Sequence, residues 1–211
     1  MRLPCPTIAR NAPAIGKIST LPAMPTLYII AGPNGSGKTT LAKEFIDVEN
    51  LPFLNADEIA KAINSQDISK AYMQAGREFF KRLNDFLAAR KSVVMETTLS
   101  GKYHNRVIEN FKKNGYEIEL RFIFLDNPQI CIDRIKNRVS KGGHDVPSED
   151  VIRRFFRSRQ NFMFVKKLVS YWELYYNGGN EFIFVDNGKD SYIEVINDFL
   201  YKSFIGEQYG S

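Results

Sequence analysis

The residues Gly32-Pro33-Asn34-Gly35-Ser36-Gly37-Lys38-Thr39 carry the plainest chemistry in the chain. Glycines at the first, fourth and sixth positions let the backbone turn tightly enough for successive N–H groups to face one point. That point attracts an anion. The lysine at the seventh position reaches the β- and γ-phosphates of a nucleoside triphosphate, and the Thr39 hydroxyl can ligate Mg²⁺. The apolar run Leu27 to Ala31 precedes this segment and a helix-forming run follows it, so the helix N-terminus adds its dipole to the phosphate site. ATP or GTP is the expected ligand, held by Gly32 through Thr39 and by Thr40, the next residue.

Two carboxylates are placed to act on such a ligand. Asp57 follows a short apolar run in Phe53-Leu54-Asn55-Ala56-Asp57. Beside a terminal phosphate it would accept the proton of an attacking hydroxyl, although the same position would also suit a cap for a helix from Glu58 to Asn64. Glu96 ends the apolar run Ser92 to Met95 and is followed by Thr97-Thr98-Leu99-Ser100. It is expected either to hold Mg²⁺ with Thr39 or, with Thr98, to contact the hydroxyls of an acceptor. Asp126 also ends an apolar run, but Pro128 suits a first helical turn, so a helix cap at Asp126 or Asn127 is expected there.

Downstream, Arg134 and Arg138 precede Gly142-Gly143-His144-Asp145-Val146-Pro147, and Arg153, Arg154, Arg157 and Arg159 follow. Arginine presents a fixed fork of N–H groups that matches phosphate oxygens and stays charged. Spacings of four and three place Arg134 with Arg138, and Arg154 with Arg157, on common helix faces flanking a glycine hinge. The segment from about 133 to 167 is expected to form a lid that excludes water during transfer. Arg138 and Arg154 are the leading choices for neutralising the transferred phosphate, and Arg157 is grouped with the nucleotide. His144 is expected to orient the lid or contact phosphate, with plain loop packing as the alternative.

These groups need a scaffold. Strand-like runs at Thr26 to Ala31, Pro52 to Asn55, Ser92 to Thr97, Glu117 to Leu125 and Glu181 to Val185 alternate with helix-like runs. Val93 to Met95 and Phe122 to Leu125 are apolar on successive residues, as in strands covered on both faces. This pattern predicts a doubly wound α/β fold with a mostly parallel sheet, its ligand at the carboxyl ends of the strands; with the glycine-rich loop it is expected to be of P-loop NTPase or kinase type. Between Ile68 and Lys91, Tyr72, Ala75, Phe79, Phe80, Leu83, Phe86 and Leu87 recur at helical spacing, which predicts a core-facing helix whose aromatics serve packing.

The chain has 211 residues, 44% apolar and 25% charged, so one main domain over 26–211 is expected. Met1 to Pro25 holds five prolines without periodicity and is expected to be a tail outside the fold. Two cysteines, Cys5 and Cys131, exclude a disulfide framework or a cysteine zinc site. No apolar run approaches the length of a membrane span, and the expected location is the cytoplasm. The formal charge of +5 is concentrated, since Asp133 to Lys167 carries ten Lys or Arg against four Asp or Glu. Such a cluster suits either nucleic acid or a triphosphate.

With these residues in view, the chain resembles the zeta toxin family of P-loop kinases over about Thr26 to Phe164. The resemblance rests on the P-loop, Asn55-Ala56-Asp57, Glu96-Thr97-Thr98-Leu99, and Gly143-His144-Asp145-Val146-Pro147 followed by Ile152-Arg153-Arg154-Phe155 and Arg157-Ser158. It implies ATP-dependent phosphorylation of a small hydroxylated acceptor, in the best-known members the sugar of UDP-N-acetylglucosamine. Lys38 and Thr39 would bind ATP and Mg²⁺, Asp57 would be the base, Glu96 and Thr98 would hold the acceptor, and Arg138 and Arg154 the γ-phosphate. A small antitoxin protein is the implied partner. Thr97 and Ser100 stand where well-known toxins of the family have glycine and a basic residue, so a different acceptor pocket is expected; the compact chain, with its Gly142-Gly143-His144-Asp145-Val146-Pro147 lid, looks more like the chromosomal zeta-like proteins. One rival is a polynucleotide 5′-hydroxyl kinase. Against it, no basic and aromatic groove for a single strand is evident, Tyr171, Trp172, Tyr175 and Tyr176 being expected in a partly buried helix. The other rival is a nucleotide-binding switch without transfer activity, which would need neither Asp57 nor the arginines.

Overall fold

The computed structural model describes residues 24–65, 67–179, 181–189 and 192–206, so the expected tail lies outside the described residues apart from Met24 and Pro25. The first strand, β1 (Thr26–Ala31), sends Leu27, Ile29 and Ala31 to one apolar layer and Ile30, with Tyr28, to the other. A strand apolar on both sides belongs in the middle of a sheet covered on both faces. There it pairs in parallel with β3 (Val93–Thr97) and β4 (Glu117–Phe124). Outside them lie β2 (Phe53–Leu54) and β5 (Tyr171–Tyr176), also parallel. Two antiparallel strands, β6 (Ile183–Lys189) and β7 (Tyr192–Val195), extend the sheet to the order β2-β3-β1-β4-β5-β6-β7.

One face is covered by α1 (Lys38–Glu49), whose Phe45 ring lies 5.0 Å from that of Tyr28. The larger core lies on the opposite face. It is filled from α2 (Ala56–Ile63), α3 (Ile68–Ala88), α4 (His104–Lys113), α6 (Ser148–Val165) and α7 (Asp198–Ile205), with Phe79, Phe111, Phe162 and Phe204 among its largest side chains. A third, smaller cluster ties α5 (Pro128–Val139) to α6 through Cys131, Ile135, Val151 and Phe155. The chain leaves β1 toward β2 and β3, then crosses to β4 on the other side. The crevice of such a sheet opens at the carboxyl ends of the strands where the order reverses, which is where the glycine-rich loop begins. No helix among the described residues is long and apolar enough to cross a membrane.

Two expectations are corrected. Tyr171 to Tyr176 is strand β5, not helix. Trp172 and Leu174 point to the large core, while Glu173 faces the other way and pairs with Arg121 at 2.8 Å. A buried acid in mid-strand hides the alternation that would have marked it. The next strand begins at Ile183 and runs to Lys189, later than the expected Glu181 to Val185.

Candidate functional site

The glycine-rich loop is closed around its own lysine. Lys38, 7% exposed, donates from Nζ to Pro33 O at 2.9 Å. A Cβ at Gly32 would stand 2.4 Å from Ile123 O, and at Gly37, where φ is 94°, one would stand 2.5 Å from Asn177 Nδ2, so neither position admits a side chain. The loop is braced from behind as well. Asn177 Nδ2 donates to Ser36 O at 2.8 Å, and Arg134 Nη2 donates to Asn177 O at 2.8 Å. Burial lowers the pKa of Lys38, and the carboxylates of Glu96 and Asp57 act in the opposite sense.

Glu96, at the end of β3, gathers the loop and the second strand. Its Oε2 accepts from Thr39 Oγ1 at 2.8 Å and from Asn55 Nδ2 at 2.9 Å, and its Oε1 lies 3.9 Å from Lys38 Nζ. Burial raises its pKa, against the pull of Lys38, Thr39 and Asn55. Asn55 is also the cap of α2, its Oδ1 accepting from the N–H groups of Asp57 and Glu58 at 2.7 and 3.3 Å. The cap expected of Asp57 is therefore supplied by Asn55, which leaves the Asp57 carboxylate exposed in the first turn. Asn127 likewise caps α5, while Asp126 accepts from Tyr176 Oη.

Two cavities meet at these residues. The larger, about 780 Å³, runs from the glycine-rich loop, Thr39 and Thr40 to Arg134, Arg138 and the Gly142 to Asp145 loop. The smaller, about 290 Å³, is bounded by Thr97, Thr98, Tyr103 and Arg154 together with one side of α3. Asn34, Lys38, Asn55, Asp57 and Glu96 line both. Among the described residues, no group of three or more His, Cys, Asp or Glu is placed to hold a metal ion. A cation here would take hard oxygens from Thr39 and Glu96, 2.8 Å apart, and complete its shell with phosphate and water, which is how magnesium is commonly held.

The arginine-bearing segment closes over this junction from the far side. Arg138 Nη2 donates to His144 O at 2.6 Å, and Arg154 Nη1 donates to Asn34 Oδ1 at 3.3 Å. His144 Nε2 is hydrogen-bonded to Tyr72 Oη, joining the loop to α3. The expected sharing of a site by Arg154 and Arg157 does not hold. At about 100° per residue, Arg157 lies about 60° further from the buried Val151, Phe155 and Ser158 stripe than Arg154 does; it is exposed and lines neither cavity.

Sequence reasoning passed over several groups. Asn177 braces the loop from just beyond β5, and Arg134, expected with Arg138 at the glycine hinge, holds Asn177 from α5. Tyr72 and Phe80, expected in the core, are 40% and 38% exposed and line the smaller cavity with Tyr103. Helical spacing identified the buried stripe through Ala75, Phe79 and Leu83, but an adjoining aromatic stripe has the same periodicity and carries no separate signal.

A phosphate loop after the central strand of a mostly parallel sheet, with one acid on the neighbouring strand, another opening the helix after β2, and arginines on the helices opposite, defines a P-loop kinase fold. The profile of the zeta toxin family matches residues 14–190, and the chain belongs to that family. An uncharacterized protein of Haemophilus influenzae is 34% identical over 122 residues, 58% of this chain and 86% of its own. Among solved structures, a complex of AvrRxo1-ORF1 and -ORF2 with ATP superposes with a TM-score of 0.69 at 20% identity, covering 89% of this chain and 65% of that one. The chain thus spans just under two thirds of that neighbour. A structure from the PezAT chromosomal toxin–antitoxin system of Streptococcus pneumoniae gives 0.58 at 14% identity, covering 74% and 68%. At these identities the two likenesses establish the fold.

Proposed function

We propose that this protein is an ATP- and magnesium-dependent phosphotransferase that moves the γ-phosphate to a hydroxyl of a small molecule. The observation that carries the reading is the junction of the two cavities. A triphosphate-sized space and an acceptor-sized space share Lys38, Asp57 and Glu96, so a phosphate in one and a hydroxyl in the other would meet there. The ATP-bound structure of the AvrRxo1 neighbour supports the choice of donor.

In this reading the loop amides and Lys38 hold the β- and γ-phosphates, and Arg138 and Arg154 neutralise the oxygens of the transferring group. The acceptor oxygen bonds to the γ-phosphorus while its proton passes to the Asp57 carboxylate. The bond from that phosphorus to the β,γ-bridging oxygen breaks, and ADP leaves. Thr39 and Glu96 would hold magnesium, which when bound would neutralise part of the phosphate charge. Thr98, hydrogen-bonded to Ser100 at 2.8 Å, faces the acceptor side. A nucleotide sugar of the UDP-N-acetylglucosamine kind is the acceptor that the family resemblance implies, and an antitoxin is the implied protein partner. The toxin–antitoxin system to which the PezAT neighbour belongs supports the second point.

The test is Asp57→Asn. Transfer should fall at least about 100-fold, the scale of one general base, with the dissociation constant for ATP unchanged. Full transfer by this variant would overturn the assignment.

A further inference from the structure

The wall of the smaller cavity that belongs to α3 has an unusual stripe. Tyr72, Gly76 and Phe80, four residues apart, share one face of the helix, and all three line the cavity. Glycine in a helix interior is unfavourable relative to alanine. Nothing in the fold requires it at this position, because a Cβ built on Gly76 meets no atom within 4 Å. The missing side chain leaves a notch between two rings whose Cα atoms are about 12 Å apart along the axis. Tyr103 forms the adjoining wall. Its ring stands edge-on to Phe80 at 5.1 Å and 88°, and its hydroxyl is fixed by Thr97 Oγ1 at 2.9 Å.

The charges around the notch are already matched. The cations lining this cavity are Lys38, held to Pro33 O, and Arg154, held by Asn34 and by Asp150 at 3.3 Å. Asp57 and Glu96 balance them. An acceptor bringing a diphosphate would add two or more negative charges to a site with no cation left over among its described lining residues. A ring with a flat apolar face gains by stacking on an aromatic side chain, whatever its substituents.

We propose that the notch formed by Tyr72, Gly76, Phe80 and Tyr103 is the acceptor seat, and that it takes an uncharged polyhydroxylated ring, not a nucleoside diphosphate conjugate. The proposal rests on the kinase reading and sets an uncharged ring in place of the nucleotide sugar that the family resemblance implies. The ring lies over Gly76 against Phe80, and one of its hydroxyls reaches Asp57.

The experiment supplies the purified protein and Mg·ATP with three sets of acceptors: free monosaccharides, free nucleosides, and UDP-N-acetylglucosamine. Products heavier by one phosphate are sought by mass spectrometry. Transfer to one of the uncharged sets is expected, and which set responds identifies the ring as sugar or nucleoside. With that acceptor, Gly76→Leu should raise the acceptor KM about 10- to 100-fold, the scale of one stacking contact, and leave the ATP KM unchanged. Gly76→Ala should raise the acceptor KM less while the melting temperature holds or rises, a combination that a merely structural glycine would not give. Phe80→Ala should behave as Gly76→Leu does, with Phe80→Tyr restoring the acceptor KM. Transfer to UDP-N-acetylglucosamine in preference to every uncharged ring overturns the seat but leaves the kinase reading intact, as does an unchanged acceptor KM in Gly76→Leu. Absence of product from all three sets overturns the kinase reading and the seat with it.

Discussion

Asn55 divides one amide between two elements, capping α2 through Oδ1 and steadying Glu96 through Nδ2. Asn55→Ala should therefore lower the unfolding free energy by about 2 kcal/mol, roughly one cap and one hydrogen bond to a carboxylate. Urea denaturation would measure that, and kcat/KM should fall with it because Glu96 loses a fixed partner. Glu96 has its own signature. Burial raises its pKa, and kcat/KM reports groups of the free enzyme. The carboxylate is needed ionised beside Thr39, so activity should be lost as pH falls through a value above the ordinary glutamate range. A kcat/KM profile for Mg·ATP that stays flat down to that ordinary range would contradict the role.

At the scale of elements, the loop joining α5 to α6 decides whether Arg138 is held in place. Gly143 N donates to Arg138 O at 2.9 Å, and a Cβ on Gly143 would stand 2.5 Å from Arg138 Cγ and 2.8 Å from its carbonyl oxygen. Gly143→Ala should displace that arginine and lower kcat about 10- to 100-fold, as misplacement by about an ångström does. Gly142→Ala is the control. Its φ of +80° makes alanine strained by about 1 kcal/mol, but a Cβ there meets nothing within 4 Å, so kcat should change little. Steady-state kinetics on the pair would separate the two effects. The same elements show how much was legible beforehand. β1 has its expected limits because its apolar residues are contiguous and the glycines that follow mark its end. The placing of Lys38, Asp57 and Glu96 at the carboxyl edge of the sheet was legible because the first two come shortly after a strand and the third lies near the end of one. β5 was lost to its buried Glu173, and β7, four residues long and exposed at every one, is too short for an alternation to stand out. Arg134, Asn177 and Gly76 act through neighbours remote in sequence, and only the fold shows who those neighbours are.

At the scale of the whole molecule, the sheet carries an internal cost on its antiparallel side. Asp186, fully buried on β6, pairs in register with Leu174 of β5 and Val195 of β7, where the parallel core passes into the outer strands. Burial pushes its carboxyl up to about 6, opposed by the backbone N–H of Asn187 and by Lys166. The sign follows from proton binding in the two states. Below the unfolded value both states hold the proton and there is no penalty. As pH rises from about 4 to about 6 the unfolded chain releases its proton and the folded chain keeps it, so stability declines, and above about 6 the loss is complete at no more than about 3 kcal/mol. Asp186→Asn removes the charge while keeping the shape. Urea denaturation should show the variant level with the parent near pH 4 and more stable at pH 7 by up to that amount. Equal stabilities at both pH values would mean that the carboxylate is ionised without cost in the folded protein. Asp186 lies on the other side of the sheet's centre from Asp57 and Glu96, with β1, β4 and β5 between. Transfer activity at pH 7 should therefore stay at the parent's level, so that the outer strands set the stability of the molecule without touching its chemistry.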